Sequence, residues 1–304
     1  MPHRSEPLPT YQGRVLPRPG EEVVDQGLGF DLGTLGRRRM LRLLGLGGAA
    51  LGLAACRTGG ETTAASASTD ASASSGTSAG EIPDETAGPY PGDGSNGPNV
   101  LDQSGIVRSD IRSSFGTASG TAGGVPMTLE LTITDLANGG APFANVAVYV
   151  WHCDREGRYS LYSDGVTGQN YLRGVQIADS SGIVKFTSVF PACYSGRWPH
   201  VHFEVYPDQA SITDAGNTIA TSQVALPKAA CDAVYQTSGY SASVSNLSRV
   251  TLANDNVFGD AGGASQLGTV TGDVTTGYTV KLTAAVDTGT TPGGGSAPGG
   301  ARSR

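Results

Sequence analysis

Two histidines separated by one residue lie in the stretch RWPHVHFEV, residues 197–205. The chain has only four histidines, and β-branched and aromatic residues surround this pair, which is typical of a strand. Because side chains at i and i+2 of a strand point to the same face, His200 and His202 are predicted to project side by side. Neutral imidazole is the commonest nitrogen ligand of protein-bound metals, so the pair predicts a metal platform. For H-x-H alone, a pair of solvated surface histidines is the alternative.

Two tyrosines offer further metal ligands. Tyr194 precedes His200 by six residues, and Tyr159 follows the turn REGR. A free phenol has a pKa of about 10, so only a strongly Lewis-acidic ion such as Fe(III) deprotonates it readily at neutral pH. Two phenolates and two imidazoles would leave one positive charge, which a bound hydroxide neutralises. With eleven tyrosines in the chain, ordinary packing is the alternative for each, and a zinc site that uses Cys193 with the histidines is another.

The segments WHCDREGRYS and YLRGVQIADSSGIVKFTSVFPACYSGRWPHVHF resemble the core signature of the intradiol ring-cleavage dioxygenases. This family includes the protocatechuate 3,4- and catechol 1,2-dioxygenases, and the similarity is greatest to its secreted bacterial members. The resemblance runs from about Leu129 to Tyr206 and rests on the elements G-R-Y, P-x-x-Y and R-x-x-H-x-H in that order. A weaker similarity covers ETAGPYPGDG, Glu85–Gly94.

The resemblance implies a non-haem Fe(III) cofactor with four protein ligands. Tyr159 matches the equatorial tyrosinate and Tyr194 the axial tyrosinate that the substrate displaces, while His200 matches the axial histidine and His202 the equatorial one. The implied reaction uses O₂ to open a catechol-type ring between its two hydroxyl-bearing carbons, giving a muconate-type product. A non-catalytic β-sandwich lipoprotein that binds aromatics or a metal is the alternative function.

Further residue roles follow from the same resemblance. Arg197 matches the arginine that stabilises charge on the bound ring, and displaced Tyr194 takes up a substrate proton. Tyr90 is expected either to line the substrate pocket or to pack. His152, adjacent to Trp151, is expected to pack or to lie behind the ligands. The sequence departs from the family in placing Cys193 before Tyr194, and the family's glutamine downstream of the histidines has no secure counterpart.

Short apolar segments with period two surround these residues. They predict an all-β fold, an antiparallel β-sandwich, with strands at Met127–Leu136, Asn145–Asp154, on both sides of the turn Asp179–Gly182, and at His200–Pro207. One short helix is predicted at Pro227–Thr237, because proline is favoured at the first helical position and good helix formers follow it.

The N-terminal part of the chain has the order of an export signal. RRRMLR, residues 37–42, resembles a twin-arginine motif and precedes an apolar run that ends at Cys56 in a lipobox-like LAAC. The run is too short and too glycine-rich to span a membrane. We expect residues 1–56 to direct export, with Cys56 as a lipid anchor to the cell membrane. Residues 57–81 and 287–304 are rich in small polar residues and are predicted to be flexible, which leaves one domain at 82–286.

Charge and cysteine content limit the function further. The net charge is −7, and no basic cluster occurs beyond the signal, so nucleic-acid binding is not expected. Three cysteines remain besides Cys56, and an extracytoplasmic location permits a disulfide. Cys193–Cys231 is the preferred pairing, with Cys153 as an alternative partner for either.

Overall fold

The computed structural model describes residues 80–259 and 263–290, together with two short strands near the N-terminus. These strands, β1 (Thr10–Tyr11) and β2 (Arg14–Val15), pair antiparallel. The twin-arginine-like segment, Cys56, the linker as far as residue 79 and the tail beyond residue 290 lie outside the described residues. Within the described part, no helix is both long and apolar enough to cross a membrane.

Two sheets form the body of the domain. The first sheet has the order β10-β11-β3, and β3 also pairs with β4 and β7. Its strands are β3 (Pro126–Asp135), β4 (Ala141–Pro142), β7 (Ile183–Val189), β10 (Thr269–Asp273) and β11 (Gly277–Val286). The second sheet has the order β6-β5-β8-β9. Its strands are β5 (Ala147–Trp151), β6 (Arg173–Ile177), β8 (His200–Tyr206) and β9 (Ala220–Ala225).

The predicted all-β fold is confirmed, with two corrections. First, β11 pairs with β3 in parallel, with Tyr278 opposite Met127, so the first sheet is mixed. Second, the described residues contain two short α-helices where one was predicted, α1 (Lys228–Val234) and α2 (Ser241–Leu247). Pro227 caps α1, close to the predicted start. The sequence of α2, SASVSNL, is rich in serine, which competes with the backbone for hydrogen bonds and favours turns, so it gave no helical signal. Two 3₁₀ segments follow β8, at Gln209–Thr213 and Ala215–Asn217.

The two faces of β8 have different surroundings. Val201, Phe203 and Val205 lie in the main core between the sheets, with Leu129 and Leu131 of β3. The alternate residues, including His200 and His202, point to the opposite face, yet every residue of β8 is buried. This opposite face is therefore covered by other parts of the chain, and its polar side chains are enclosed.

Residues 82–93, here called the strap, cover part of that face. The amide of Ile82 donates to the carbonyl of Ala285 at 2.8 Å, and the amide of Glu85 donates to that of Thr221 at 2.7 Å, which ties the strap to both sheets. Gly88 has a φ of +73°, and a Cβ at that position would lie 3.3 Å from Cε1 of His202. Glycine therefore allows the strap backbone to pass directly against a histidine of β8.

Candidate metal centre

Four side-chain donor atoms converge at the start of β8. His200 Nε2 lies 3.1 Å from His202 Nε2 and 3.2 Å from the hydroxyl oxygen of Tyr194. The hydroxyl oxygen of Tyr159 lies 3.5 Å from His200 Nε2 and 3.4 Å from the Tyr194 oxygen. The structure therefore brings together all four residues predicted as ligands.

The strand and its neighbours orient the two imidazoles. His200 and His202 share a face of β8, as the spacing predicts, and their ring centroids are 4.7 Å apart. The Nδ1–H of His200 can donate to the carbonyl of Trp198, which leaves the Nε2 lone pair directed at the cluster. His202 lies opposite Trp151 of β5 and stacks on its ring, with centroids 4.8 Å apart and planes at 7°.

The tyrosines come from two connections between strands. Tyr159 lies between β5 and β6, where its amide donates to Ser163 Oγ at 2.9 Å, and its side chain is buried. Tyr194 lies between β7 and β8 and is only partly buried. The two rings meet edge to face, with centroids 5.9 Å apart. Of the four donors, Tyr194 is thus the most accessible.

Burial determines the protonation states at this cluster. It lowers the pKa of His200 to about 3, with the nearby charge of Arg197 acting in the same direction, and it lowers the pKa of His202 well below its ordinary value. Both imidazoles are therefore neutral at pH 7, as metal ligands must be. Burial also raises the pKa values of Tyr159 and Tyr194, and the positive charge of Arg197 partly opposes this effect. The phenols therefore ionise only when a nearby cation compensates.

The donor set fits an ion of high charge. Within the described residues, no group of three or more His, Cys, Asp or Glu side chains is arranged to hold a metal ion, so a site here must include the tyrosine oxygens. The Cys193 thiol contacts the carbonyls of Arg197 and Tyr194, at 3.4 and 3.9 Å. The alternative of a zinc site built from Cys193 and the histidines is therefore contradicted.

Arg197 lies beside the cluster as a buried cation. Its Nε donates to Asp255 Oδ2 at 3.0 Å, and its Nη2 donates to Gln223 Oε1 at 2.7 Å. Its positive charge opposes the effect of burial on the pKa values of both tyrosines. It adds to the effect of burial on the pKa values of both histidines. A guanidinium in this position can stabilise negative charge on a molecule bound at the four donors.

Two polar residues of the site were not predicted. Gln223 lies on β9 directly opposite His202 and is fully buried, and its Nε2 donates to the carbonyl of Thr86 in the strap. No local pattern predicts this place for Gln223, because it depends on the register between β8 and β9. Asp255 follows α2 and is 58 residues from Arg197 in the sequence. No local pattern marks it.

Two further residues singled out in the sequence, Tyr90 and His152, lie near the candidate ligands or pack behind them. The Tyr90 ring lies 5.0 Å from the ring of Tyr159 and 5.2 Å from that of Tyr162, so it borders a candidate ligand. Its contact with substrate remains a prediction. His152 packs as expected, since its Nε2 lies 2.7 Å from Ser188 Oγ and its Nδ1 lies 2.8 Å from the carbonyl of Cys153.

The predicted disulfide is wrong for this structure. Cys153, Cys193 and Cys231 are all buried free thiols. Each sulfur instead contacts backbone carbonyls, that of Ala192 for Cys153, those of Arg197 and Tyr194 for Cys193, and that of Leu226 for Cys231.

Comparison with models of protein families finds a match that includes the candidate centre. A protein-family model described as Dioxygenase matches residues 96–213. This range includes the four donor residues and Arg197, whereas the strap, Gln223 and Asp255 lie outside it. No curated protein matches the chain.

One solved structure shares the fold, and two others are similar at lower TM-scores. The intradiol ring-cleavage dioxygenase from Tetranychus urticae is 22% identical, with a TM-score of 0.55, and the match covers 69% of this chain and 96% of that chain. The dioxygenase domain of a dioxygenase–carbohydrate-binding fusion from Streptomyces sp. SirexAA-E is 18% identical, with a TM-score of 0.42 and coverage of 68% and 98%. Catechol 1,2-dioxygenase from Pseudomonas arvilla C-1 is 19% identical, with a TM-score of 0.40 and coverage of 63% and 60%.

Proposed function

We propose that the chain, which a Dioxygenase family model matches over residues 96–213, is an intradiol non-haem Fe(III) enzyme acting on a catechol-type aromatic. It would use O₂ to cleave the ring between the two hydroxyl-bearing carbons, giving a muconate-type diacid. The observation that carries this proposal is the convergence of one imidazole nitrogen, that of His202, and two phenol oxygens within 3.1–3.5 Å of His200 Nε2. Tyr159, Tyr194, His200 and His202 would hold the ion. A bound ferric ion supplies the Lewis acidity that makes a catecholate reactive towards O₂.

Tyr194 is suited to proton transfer with the substrate. It is the most exposed of the four donors, whereas Tyr159, His200 and His202 are each at most 2% exposed. An incoming catechol therefore meets its hydroxyl oxygen first. That oxygen, as a phenolate, can accept the proton that a substrate hydroxyl loses on binding.

Arg197 and Gln223 are suited to stabilising the activated ring. Both are buried beside the donors, and the hydrogen bond between them fixes the guanidinium and the amide relative to each other. In a site with little water, a fixed positive charge strongly favours a state in which the bound ring is negative. We assign these two residues that role.

The strap, with Tyr90, and the neighbouring Tyr162 would form an apolar wall for an aromatic substrate. The Tyr90 ring lies next to the rings of Tyr159 and Tyr162, and Gly88 brings the strap backbone against His202. Tilted aromatic side chains at this spacing favour contact with a further aromatic ring. This enclosure would also keep bulk water away from the reacting carbons.

Colour and oxygen uptake test the proposal. The purified iron-loaded protein should be reddish through tyrosinate–iron charge transfer, its band should shift on addition of a catechol, and it should consume O₂ with at least one of simple, carboxylated or hydroxylated catechols. Tyr194→Phe should alter the band and reduce uptake. Tyr278→Phe, on β11 of the other sheet, serves as the matched control and should change neither.

Two outcomes would count against the proposal. A colourless protein that contains stoichiometric zinc would refute the iron site. A coloured protein that binds catechols and consumes no O₂ with any of them would favour the alternative of a non-catalytic aromatic-binding lipoprotein.

We also propose that the protein is exported and anchored to the cell membrane through a lipid on Cys56. The support is the order of the arginine pair, the apolar run and the LAAC sequence in residues 37–56. Metabolic labelling with a fatty acid should mark the wild type and not Cys56→Ala. An unlabelled wild-type protein in the soluble fraction would contradict the anchor.

A further inference from the structure

Asp255 is a buried carboxylate that holds several groups at once. Its Oδ2 accepts from the backbone amide of Trp198 at 2.6 Å, and its Oδ1 accepts from the amides of Val257 and Phe258 at 2.9 and 3.0 Å. Arg197 donates to both oxygens, from Nε at 3.0 Å and from Nη2 at 3.5 Å. Backbone amides therefore hold both oxygens of the carboxylate in place, independently of its contact with the guanidinium.

Arg197 has a fixed partner on each side as a result. Asp255 lies on one side, and Gln223 accepts from Nη2 on the other. The Phe258 ring, in the turn that Asp255 stabilises, lies 5.9 Å from the guanidinium carbon and 6.4 Å from the His200 ring. A long arginine side chain has many rotamers, and this arrangement selects the one beside the four donors.

Asp255 has two effects on Arg197 that oppose each other. Its negative charge weakens the field of the guanidinium at a bound ring, while its hydrogen bonds hold the guanidinium in position. Three backbone amides already donate to the carboxylate, so much of its charge is offset locally. Positioning errors of about 1 Å in an active site reduce rates about 100-fold. Orientation therefore outweighs screening.

We propose that Asp255 is a positioning residue, which holds Arg197 in the orientation that stabilises charge on the bound substrate. This inference rests on the proposed function for its kinetic consequence, and on the structure alone for the placement of Arg197. Asp255 lies outside the matched family segment, so the C-terminal part of the chain contributes to the chemistry of the centre.

A double-mutant cycle on the iron-loaded protein tests the kinetic part. Asp255→Asn should retain iron and the colour, because the hydrogen bonds of Asp255 go to Arg197 and to backbone amides rather than to the four donors, and kcat should fall about 10–100-fold. The affinity for a catechol, titrated anaerobically through the colour change, should move less than about threefold, since Arg197 acts on charge that develops later. In an Arg197→Met background the same substitution should change kcat by less than about threefold. An undiminished effect there would mean that Asp255 does not act through Arg197.

A matched control and a second variant complete the kinetic test. Glu204→Gln makes the same carboxylate-to-amide change at another fully buried position and should leave kcat unchanged. Should Asp255→Asn fail to fold, Arg197→Lys keeps the charge and removes the forked hydrogen bonds to Asp255. It should lower kcat by a similar factor. Full activity of Arg197→Lys would overturn the inference.

Crystal structures of the wild type and Asp255→Asn separate this inference from the proposed function. We expect the Arg197 guanidinium to leave its place between Gln223 and residue 255, or to lose defined density, in the variant. An unmoved guanidinium would overturn the positioning role whatever the activity. A wild type that lacks ring-cleaving activity would refute the proposed function and leave the structural result to decide the placement of Arg197.

Discussion

The buried polar face of β8 has two ends, and they differ in how their polar groups are satisfied. At the first end, His200 Nε2 lies 3.1 Å from His202 Nε2 and within 3.5 Å of two phenol oxygens. At the second end, the Tyr206 hydroxyl donates to Glu204 Oε2 at 2.9 Å. Burial raises the pKa of Glu204 to about 8, so this carboxyl carries a proton at neutral pH. Both ends are buried, but only the first has several metal-ligating atoms close enough together to bind one cation.

The strands on either side reinforce this difference. Trp151 and Gln223 lie opposite His202, whereas Tyr149 and Thr221 lie opposite Glu204. The Tyr149 hydroxyl donates to the carbonyl of Pro91 in the strap at 2.7 Å, which closes the second end. The first end remains accessible through the partly exposed Tyr194. One strand therefore provides both a candidate reaction centre and a closed structural contact.

The largest effect is expected from removing a donor at the first end. His202→Asn should abolish stoichiometric iron binding and lower oxygen uptake by more than about 100-fold, because even the outer partners of metal ligands contribute 10–100-fold. Metal analysis and oxygen uptake measure this. Glu204→Gln, two residues along the same face, should keep its iron. Equal iron loss in both variants would remove the distinction between the ends.

An effect confined to activity is expected when the ligands stay and the charge beside them is removed. Arg197→Met should keep the iron and the colour, while kcat falls about 10²–10³-fold, the range for removing one electrostatic stabiliser. Steady-state oxygen uptake with parallel iron analysis measures the two quantities. Loss of iron together with activity would show that Arg197 maintains the ligand geometry rather than the reaction.

The strap over the first end provides a further test, in which stability and iron binding are measured. Gly88→Ala places a Cβ 3.3 Å from the His202 ring at a φ of +73°, a region that costs a residue with a Cβ about 1–2 kcal/mol. The variant should unfold at lower denaturant concentration and hold iron more weakly. Gly139→Ala is the matched control, because its φ is similarly positive and its Cβ would meet no atom within 4 Å. If both variants lose stability equally and keep iron equally, contact with His202 is unimportant.

The effect expected at the second end depends on pH. The folded-state pKa of Glu204, about 8, exceeds its ordinary value of 4.5, so between these values the folded state holds one more proton than the unfolded state. The stability from this group is present in full below about pH 4.5 and is lost as the pH rises towards 8, by up to about 1.4 kcal/mol per pH unit. Urea unfolding at pH 5 and pH 8 should show a smaller decline for Glu204→Gln than for the wild type. Identical declines would contradict the raised pKa.

Local sequence patterns predicted the first end of β8 well. The H-x-H spacing places two imidazoles on one face, and the G-R-Y and P-x-x-Y elements identify the two tyrosines that the structure brings to them. A Dioxygenase family model that matches residues 96–213 supports the predicted resemblance. These features are readable because each depends on a few neighbouring residues.

Features that join distant residues could not be read in this way. Gln223 reaches His202 through the register of β9, and Asp255 reaches Arg197 across 58 residues. The parallel pairing of β3 with β11 also joins the two ends of the domain, so no turn signals it. The disulfide prediction failed for a related reason, because cysteine counts do not determine which sulfur atoms approach one another.

The pairing of β3 with β11 has a consequence for synthesis. β11 lies between β10 and β3 in the first sheet, and its residues, Gly277–Val286, are translated after every other strand that the structure describes. Until they are made, β3 lacks its parallel neighbour along nine paired positions, from Met127 to Asp135. Contacts between residues so far apart form late, because closing a long loop must precede them. The domain can therefore assume its final shape only after the ribosome has translated β11.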